Sequence, residues 1–274
     1  MAGLPDITLD DTKTGVSMAE LREEMDEVLS DSDRKIISYF FLQKDCFNIV
    51  ELLKDHNATV HEEGNMSMEQ YEDLYTSATE MNFNVHRYPA FLSEFVRDYA
   101  YNKDKAGYFP KDDMLYKFYQ YAITTCPSKM VKEWYQLNLD ITNILTAMLA
   151  RNNGWNVADF IQGNNEVTEM ILTHNSKDFD LMHEYDYVSD LMKIVECDDP
   201  VDKEKKIDAF KWVWLDERTF FEPFSVDAVF AYLCKLDMLM RWERLDVEKG
   251  QKAFRQIIEN LRGAAKVPEE FVRK

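Results

Sequence analysis

The sequence predicts an all-α protein, and three observations support this fold class. Glycine and proline are scarce, with 8 and 7 residues among 274, which favours long helices joined by few turns. Helix-start signals repeatedly precede apolar residues that recur every three or four positions. Only a few short runs, such as Val167–Leu172, have the pattern of a strand.

In the first half of the chain, serine and proline residues mark where helices begin. Ser17 and Ser67 each precede a Glu or Gln by three positions, the pattern of a capping box. Pro89 and Pro127 suit a first helical turn, where a missing amide hydrogen costs nothing. Between Asp33 and Lys54 the apolar residues largely step by three and four, as in one long helix. These signals predict helices over residues 18–29, 33–54, 68–81, 90–102 and 128–152.

The second half continues with helices and offers no linker that would divide the chain. Pro200 starts a helix to about Phe220, and Pro223–Ser225 breaks it. We therefore expect one all-helical domain over residues 1–274. Further helices are predicted over residues 226–246 and 248–262, and loops over residues 55–66, 102–111 and 152–176.

An internal repeat indicates how the helices are organised. The pattern Leu-x-x-Asp-x-x-Asn-Ile occurs at 42–49 and at 137–144, and a weaker copy at 234–240 keeps the Asp. The three Asp residues are 95 and 97 positions apart. This spacing predicts three related helical bundles, centred near residues 45, 140 and 237, around a pseudo-three-fold axis. Chance agreement among apolar helices is the alternative interpretation.

Charge and cysteine content exclude several classes of protein. The net charge of −19 argues against nucleic acid as a partner, because phosphate binding needs an excess of basic residues. The longest stretch without charged residues, 118–128, is too short to span a membrane. Four widely spaced cysteines and the lack of a secretory signal predict a cytoplasmic protein with free thiols.

The sequence has no motif for nucleotide, metal or nucleophilic catalysis. Every glycine stands apart from any phosphate-binding loop, and the histidines form no metal-binding motif of the His-Glu-x-x-His kind. His56, His61, Glu62 and Glu63 could in principle bind a metal, but the segment is more typical of a solvated loop. We therefore expect no catalytic residue, cofactor or metal. A helical metalloenzyme that uses carboxylates and histidines remains an alternative.

Polar residues on apolar helices are interpreted as structural ties between helices. The helix over 128–152 is apolar nearly all round, so its polar side chains need partners on neighbouring helices. Equivalent positions in the other copies of the repeat are expected to act in the same way. The predicted ties are Asp45, Asn48, Asp140, Asn143, Arg151 and Asp237.

Two further groups near the carboxyl end are considered as binding residues. Lys235, Arg241 and Arg244 are candidate contacts for an acidic partner, although a solvated face is the simpler interpretation. Trp212, Trp214, Phe220, Phe221 and Phe224 are predicted to pack in the core or at a helix corner.

The helix over 128–152 also resembles a known family. The pattern Leu-Asp-x-x-Asn-Ile-Leu at 139–145 is followed by Leu-Ala-Arg at 149–151 and Gly-Trp at 154–155. This arrangement resembles the V-type ATPase subunit designated C, or d in eukaryotes.

Three other segments look like an uncharacterised bacterial family encoded among V-type ATPase subunits. They are the opening Ala2–Ile7, the pattern Trp-x-Trp-Leu-Asp-Glu-x-Thr-Phe-Phe at 212–221, and the segment Phe230–Trp242. Together with the pattern at 139–155, these matches are spread over almost the whole chain.

The resemblance implies a funnel-like protein of three similar bundles without an active site. Such a protein links the central shaft of a rotary V/A-type ATPase to the membrane rotor ring, so those components would be its partners. It would be peripheral to the inner membrane, on the cytoplasmic side. An acidic interaction scaffold unrelated to ATPases is a further alternative.

Overall fold

The computed structural model describes residues 4–9, 15–60, 63–82 and 87–264, with side chains described up to residue 245. Over these residues the chain forms ten α-helices, two single 3-10 turns and no β-strand, so the all-α prediction is confirmed. The helices are α1 (Met18–Val28), α2 (Asp31–Lys54), α3 (Met68–Thr79), α4 (Ala90–Asn102), α5 (Pro110–Thr125), α6 (Lys129–Asn152), α7 (Glu166–Thr173), α8 (Val188–Val195), α9 (Pro200–Thr219) and α10 (Val226–Ala264).

Most helices begin at a side chain or proline that suits the first turn. Ser67 and Gln70 form the predicted capping box at α3, each side chain bonding the other residue's backbone amide. Pro110 and Pro200 occupy the first turns of α5 and α9. At α1 the predicted box is absent, because the Ser17 side chain makes no capping bond.

The four helices that follow α1 enclose the larger core. Helices α2, α3, α4 and α5 pack in a ring, each against the next and α5 back against α2. Phe95, Phe118 and Tyr135 are fully buried between them, and Tyr135 belongs to α6. Burial of each such side chain stabilises the fold by about 1.5–3 kcal/mol.

A second, smaller core lies along the far part of α6. Helices α7 and α8 pack on α6, and α8 packs on α9. Ile144, Leu181 and Leu191 are fully buried in this core. Because α6 contributes residues to both cores, it joins the two groups of helices.

The last helix, α10, packs on α2, α9 and α6. Its first turn is tied to the start of α6, where Ser128 Oγ donates to Asp227 Oδ1 at 2.6 Å. Within the described residues the apolar side chains form two core clusters, and α10 adds Phe230 and Leu236 to the larger one. A third bundle around residue 237, and with it the pseudo-three-fold funnel, stays a prediction.

Four helices differ from the sequence predictions. Helices α5 and α8 were not predicted. The segment Val167–Leu172 belongs to helix α7 instead of a strand, and it lies in a region expected to be a loop. The two helices expected over 226–246 and 248–262 are one continuous helix, α10, because an isolated glycine such as Gly250 costs only about 1 kcal/mol in a helix.

The cysteines differ in exposure. Cys46, Cys126 and Cys234 are buried, whereas Cys197, between α8 and α9, is partly exposed, and all four are free thiols. Burial raises the pKa of the three buried thiols. No helix among the described residues is both long and apolar enough to cross a bilayer.

Candidate functional site

In the first copy of the repeat, Asp45 of α2 holds the chain that leads into α3. Its Oδ2 accepts from the amide of Asn65 at 3.0 Å, and its Oδ1 accepts from the amide of Met66 at 3.1 Å and from Tyr71 Oη at 2.6 Å. Burial raises the pKa of the Asp45 carboxyl, against the lowering effect of these three donors. Asn48 lies one turn further and donates to Tyr71 Oη at 2.9 Å.

In the second copy, Asp140 and Asn143 of α6 hold the chain that leads into α7. Asp140 Oδ1 accepts from Asn165 Nδ2 at 2.7 Å and from Gln136 Nε2 at 2.9 Å. Burial raises the pKa of Asp140 to about 6. Asn143 bonds both the amide and the carbonyl of Gln162, at 2.9 and 2.8 Å. Both copies thus place polar side chains of a 24-residue helix against the loop that precedes a shorter helix.

Arg151, at the end of α6, has partners of its own. Its guanidinium donates to the carbonyls of Ser176 and His174 and lies 3.9 Å from the ring centroid of Phe179. Arg151 therefore holds the loop after α7. It makes no bond to Asp140, although the two residues lie on the same face of α6.

In the third copy, Asp237 of α10 accepts from Lys44 of α2. Here the helix continues, so no loop and shorter helix follow as they do after Asp45 and Asp140. The ion pair instead joins α10 to α2 at the wall of a cavity.

This cavity, which we call the central cavity, has a volume of about 630 Å³ and is bounded by α2, α5, α6, α9 and α10. In a chain with a net charge of −19, its wall has five cationic side chains against four carboxylates. Aromatic side chains such as Phe47 and Trp134 form part of the same wall. The cations are Lys44, Lys111, Lys211, Arg241 and Arg244, and the carboxylates are Glu51, Glu63, Asp208 and Asp237.

The three candidate contact residues take different positions. Lys235 lies outside the central cavity, where it pairs with Asp216 of α9 and sits 5.1 Å from the Trp212 ring centroid. Arg241 and Arg244 line the cavity. Arg244 is exposed and donates only to the Met240 carbonyl of its own helix, at 3.3 Å, within the described residues.

The cavity also contains functional candidates that sequence reasoning missed. Asp208 of α9 is buried and accepts from Arg241 and from Trp242 Nε1, the latter at 2.7 Å. Lys211, one turn later, faces the same cavity. Both residues follow the charged stretch 202–206, a pattern typical of a solvent-exposed helix face. The one sequence signal that could have indicated their position is the pair of apolar residues Ile207 and Trp212 on either side of them.

The aromatic residues near the carboxyl end are divided between core and surface. Trp212 is buried, and Trp214 packs against Trp134 with ring centroids 5.8 Å apart and the rings tilted by 40°. The three phenylalanines that follow lie at a helix corner as expected, but the prediction that they pack there or in the core is wrong. Phe220, Phe221 and Phe224 are 74%, 89% and 78% exposed. We call these three residues the aromatic corner, because they lie at the turn between α9 and α10.

The segment considered as a metal site is described only in part. His61 and Glu62 lie outside the described residues, as do Ala2 and Gly3 of the opening segment. His56 Nε2 lies 2.9 Å from Glu72 Oε2, and the His56 ring packs on Tyr75 with centroids 4.1 Å apart. No group of three or more metal-binding side chains occurs in the portion of the chain that the structure covers.

Comparison with known proteins gives a family but no characterised relative. No curated protein and no solved structure matches the chain. Residues 1–264 match the model of a family described as a protein of unknown function, DUF2764. Since this match spans nearly the whole chain, the protein belongs to the DUF2764 family.

Proposed function

We propose that this protein is a non-catalytic coupling subunit of a rotary V/A-type ATPase, which links the central shaft to the membrane rotor ring. Its task is to bind other proteins and transmit force, and no reaction is assigned to it. The observation that supports a binding role best is the aromatic corner. The sequence resemblance supports the identity of the partners.

The aromatic corner has the properties of a protein-binding surface. Phe220 and Phe221 meet edge to face, with centroids 5.1 Å apart, while both rings stay open to solvent. Covering a phenylalanine ring removes on the order of 150 Å² of surface from water. Adjacent exposed apolar side chains are unusual on a monomer and mark interaction sites, where aromatic residues supply much of the binding energy.

The corner is flanked by ion pairs to two neighbouring helices. Asp216 of α9 pairs with Lys235 of α10 just below the turn. Arg218 of α9 pairs with Glu133 of α6, with 3.1 Å between Nη1 and Oε2. A load applied at the corner would therefore pass to three helices, as the coupling role requires.

The corner also coincides with a segment that carries the resemblance. The pattern at 212–221 ends in Phe220 and Phe221, and the pattern at 230–242 lies on α10 just after the turn. Both belong to the likeness with a bacterial family encoded among V-type ATPase subunits. The residues that suggest the partners are thus those next to the exposed rings.

Co-purification tests this function. We expect the tagged protein, isolated from its native host under conditions that keep the ATPase intact, to bring down shaft and rotor-ring subunits. Combined replacement Phe220→Ser, Phe221→Ser and Phe224→Ser should abolish this association without lowering the melting temperature, because the rings contribute little to the core. The control Leu172→Ser alters a side chain that is 54% exposed on α7, and association should persist.

Two results would contradict the proposal at different levels. If the unmodified protein brings down no component of the ATPase, the coupling function fails. If the triple variant associates normally, the function stands but the aromatic corner is not the interface. Stoichiometric iron, manganese or zinc in the purified protein would instead favour the metalloenzyme alternative.

A further inference from the structure

We propose that the central cavity binds a small organic oxyanion, with Lys211 as the residue that receives its charged head. The phosphate or carboxylate head would meet the ammonium group, and an apolar body would lie against the aromatic wall. This site uses other residues than the aromatic corner, so it does not depend on the proposed coupling function.

The ion pairs of the cavity wall leave Lys211 without an ion-pair partner of its own. Lys44 pairs with Asp237, and Lys111 Nζ lies 2.9 Å from Glu51 Oε1. Arg241 pairs with Asp208. Among the described residues we find no hydrogen bond or ion pair to Lys211 Nζ.

Lys211 is only partly exposed, and an ammonium group that is partly removed from water without a partner is costly. The protein atoms around it lower its pKa, as does the nearby guanidinium of Arg241. The Asp208 and Glu204 carboxylates oppose this change, but both already pair with Arg241, and Asp208 Oδ2 also accepts from Trp242. An anion in the cavity would supply the missing partner.

The size and lining of the cavity indicate the class of ligand. A volume of about 630 Å³ lies within the range of small-molecule sites, which is roughly 300–1,000 Å³. Phe47 and Leu115 offer apolar surface, and Arg244 adds a second cation at the same wall. An oxyanion with an aromatic or aliphatic body satisfies both features, whereas a metal ion or an organic cation would meet a wall with one more cation than carboxylates.

Calorimetric titration of the full chain at pH 7 tests this site. Phenyl phosphate and phenylacetate present the two kinds of oxyanion head on the same ring. Inorganic phosphate has the head without the body, and benzylamine has the body with the opposite charge. We expect at least one of the two aromatic anions to bind, at least tenfold more tightly than inorganic phosphate, and benzylamine to give no binding heat.

Substitutions at Lys211 separate binding from folding. Lys211→Met should weaken binding at least tenfold, and Lys211→Arg should keep it within about threefold. Because methionine removes the unpaired charge at similar length, Lys211→Met should also raise the melting temperature, by about 2–4 °C. Lys193→Met, which changes an exposed lysine on α8, is the matched control and should leave binding unchanged. Absence of binding by both aromatic anions, or unchanged binding in Lys211→Met, would overturn the proposal.

Discussion

Asp140 and Asp45 occupy matching places in two copies of one sequence pattern, yet their oxygens are used differently. Both bonds to Asp140 end on Oδ1, so the second oxygen has no hydrogen bond among the described residues. Asp45 uses both of its oxygens and accepts from three donors. A neutral amide can therefore reproduce the bonds of Asp140 but not those of Asp45.

We expect Asp140→Asn to stabilise the protein at neutral pH. The folded-state pKa of about 6 exceeds the ordinary value of 3.8, so the folded protein holds the proton over a range where the unfolded chain has lost it. Stability therefore falls as the pH rises from about 4 to 6 and stays lower above this range. The amide removes this fall and should raise the free energy of unfolding by up to about 3 kcal/mol at pH 7. Urea denaturation at pH 4.5 and 7 measures both values.

Asp45→Asn is the matched control and should act in the opposite direction. Its amide group would point a donor at the amide of Asn65 or at another donor, at a cost of about 1–3 kcal/mol. If Asp140→Asn destabilised the protein as much as Asp45→Asn, the interpretation of Asp140 would be wrong.

At residue scale the sequence indicates which polar side chains need partners, but not what those partners are. Asp45, Asp140 and Asn143 lie on helices too apolar for a solvated carboxylate or amide, so a bonding requirement can be predicted. Their partners Asn65 and Gln162 lie in irregular segments, whose path depends on the packing of the whole molecule. Lys211 could not be found because a lysine on a charged helix normally faces solvent.

At the scale of elements, the start of α3 depends on a close approach that only glycine permits. A Cβ at Gly64 would lie 2.5 Å from Tyr71 Oη and closer still to Asp45 Oδ1. Arg22 of α1 donates to the Gly64 carbonyl at 2.6 Å and holds the loop in this place. The loop has no room to retreat without losing these bonds.

Gly64→Ala should therefore loosen the joint between α2 and α3. We expect a loss of about 1–3 kcal/mol in the free energy of unfolding, measured by chemical denaturation. In an Asp45→Ala background the nearest clashing atom is gone, so the same substitution should cost less. An equal cost in both backgrounds would show that the clash with Asp45 is not the cause.

Helices could be predicted where local signals agreed with tertiary packing. Helices α2 and α4 end within two residues of their predicted limits, because caps and apolar spacing coincide there. Helix α5 was missed although Pro110 and two acidic residues occupy its first turn. Helix α7 is only eight residues long, and an apolar run of that length suits a strand equally well.

At the scale of the whole molecule, the predicted fold class is confirmed, whereas the predicted arrangement of three bundles stays a prediction. The repeat spacing of 95 and 97 residues concerns single helices, and the structure continues the pattern into a loop and a shorter helix only after the first two. Net charge is a sum over the chain and does not tell where in the fold the charged side chains lie. The cations at the central cavity come from four helices spread along the chain, α2, α5, α9 and α10, so composition could not reveal their concentration there.

The uneven exposure of the cysteines provides a natural labelling position. Cys197 is the one partly exposed thiol of the four, and its Sγ lies 2.9 Å from Asp202 Oδ2. We expect a thiol reagent to modify one cysteine per native chain rapidly and all four after unfolding, with peptide mapping to identify the first. Rapid modification of a second cysteine would contradict this prediction. A fluorophore or cross-linker could then be placed between α8 and α9 of the unaltered protein to follow its motion inside an assembly.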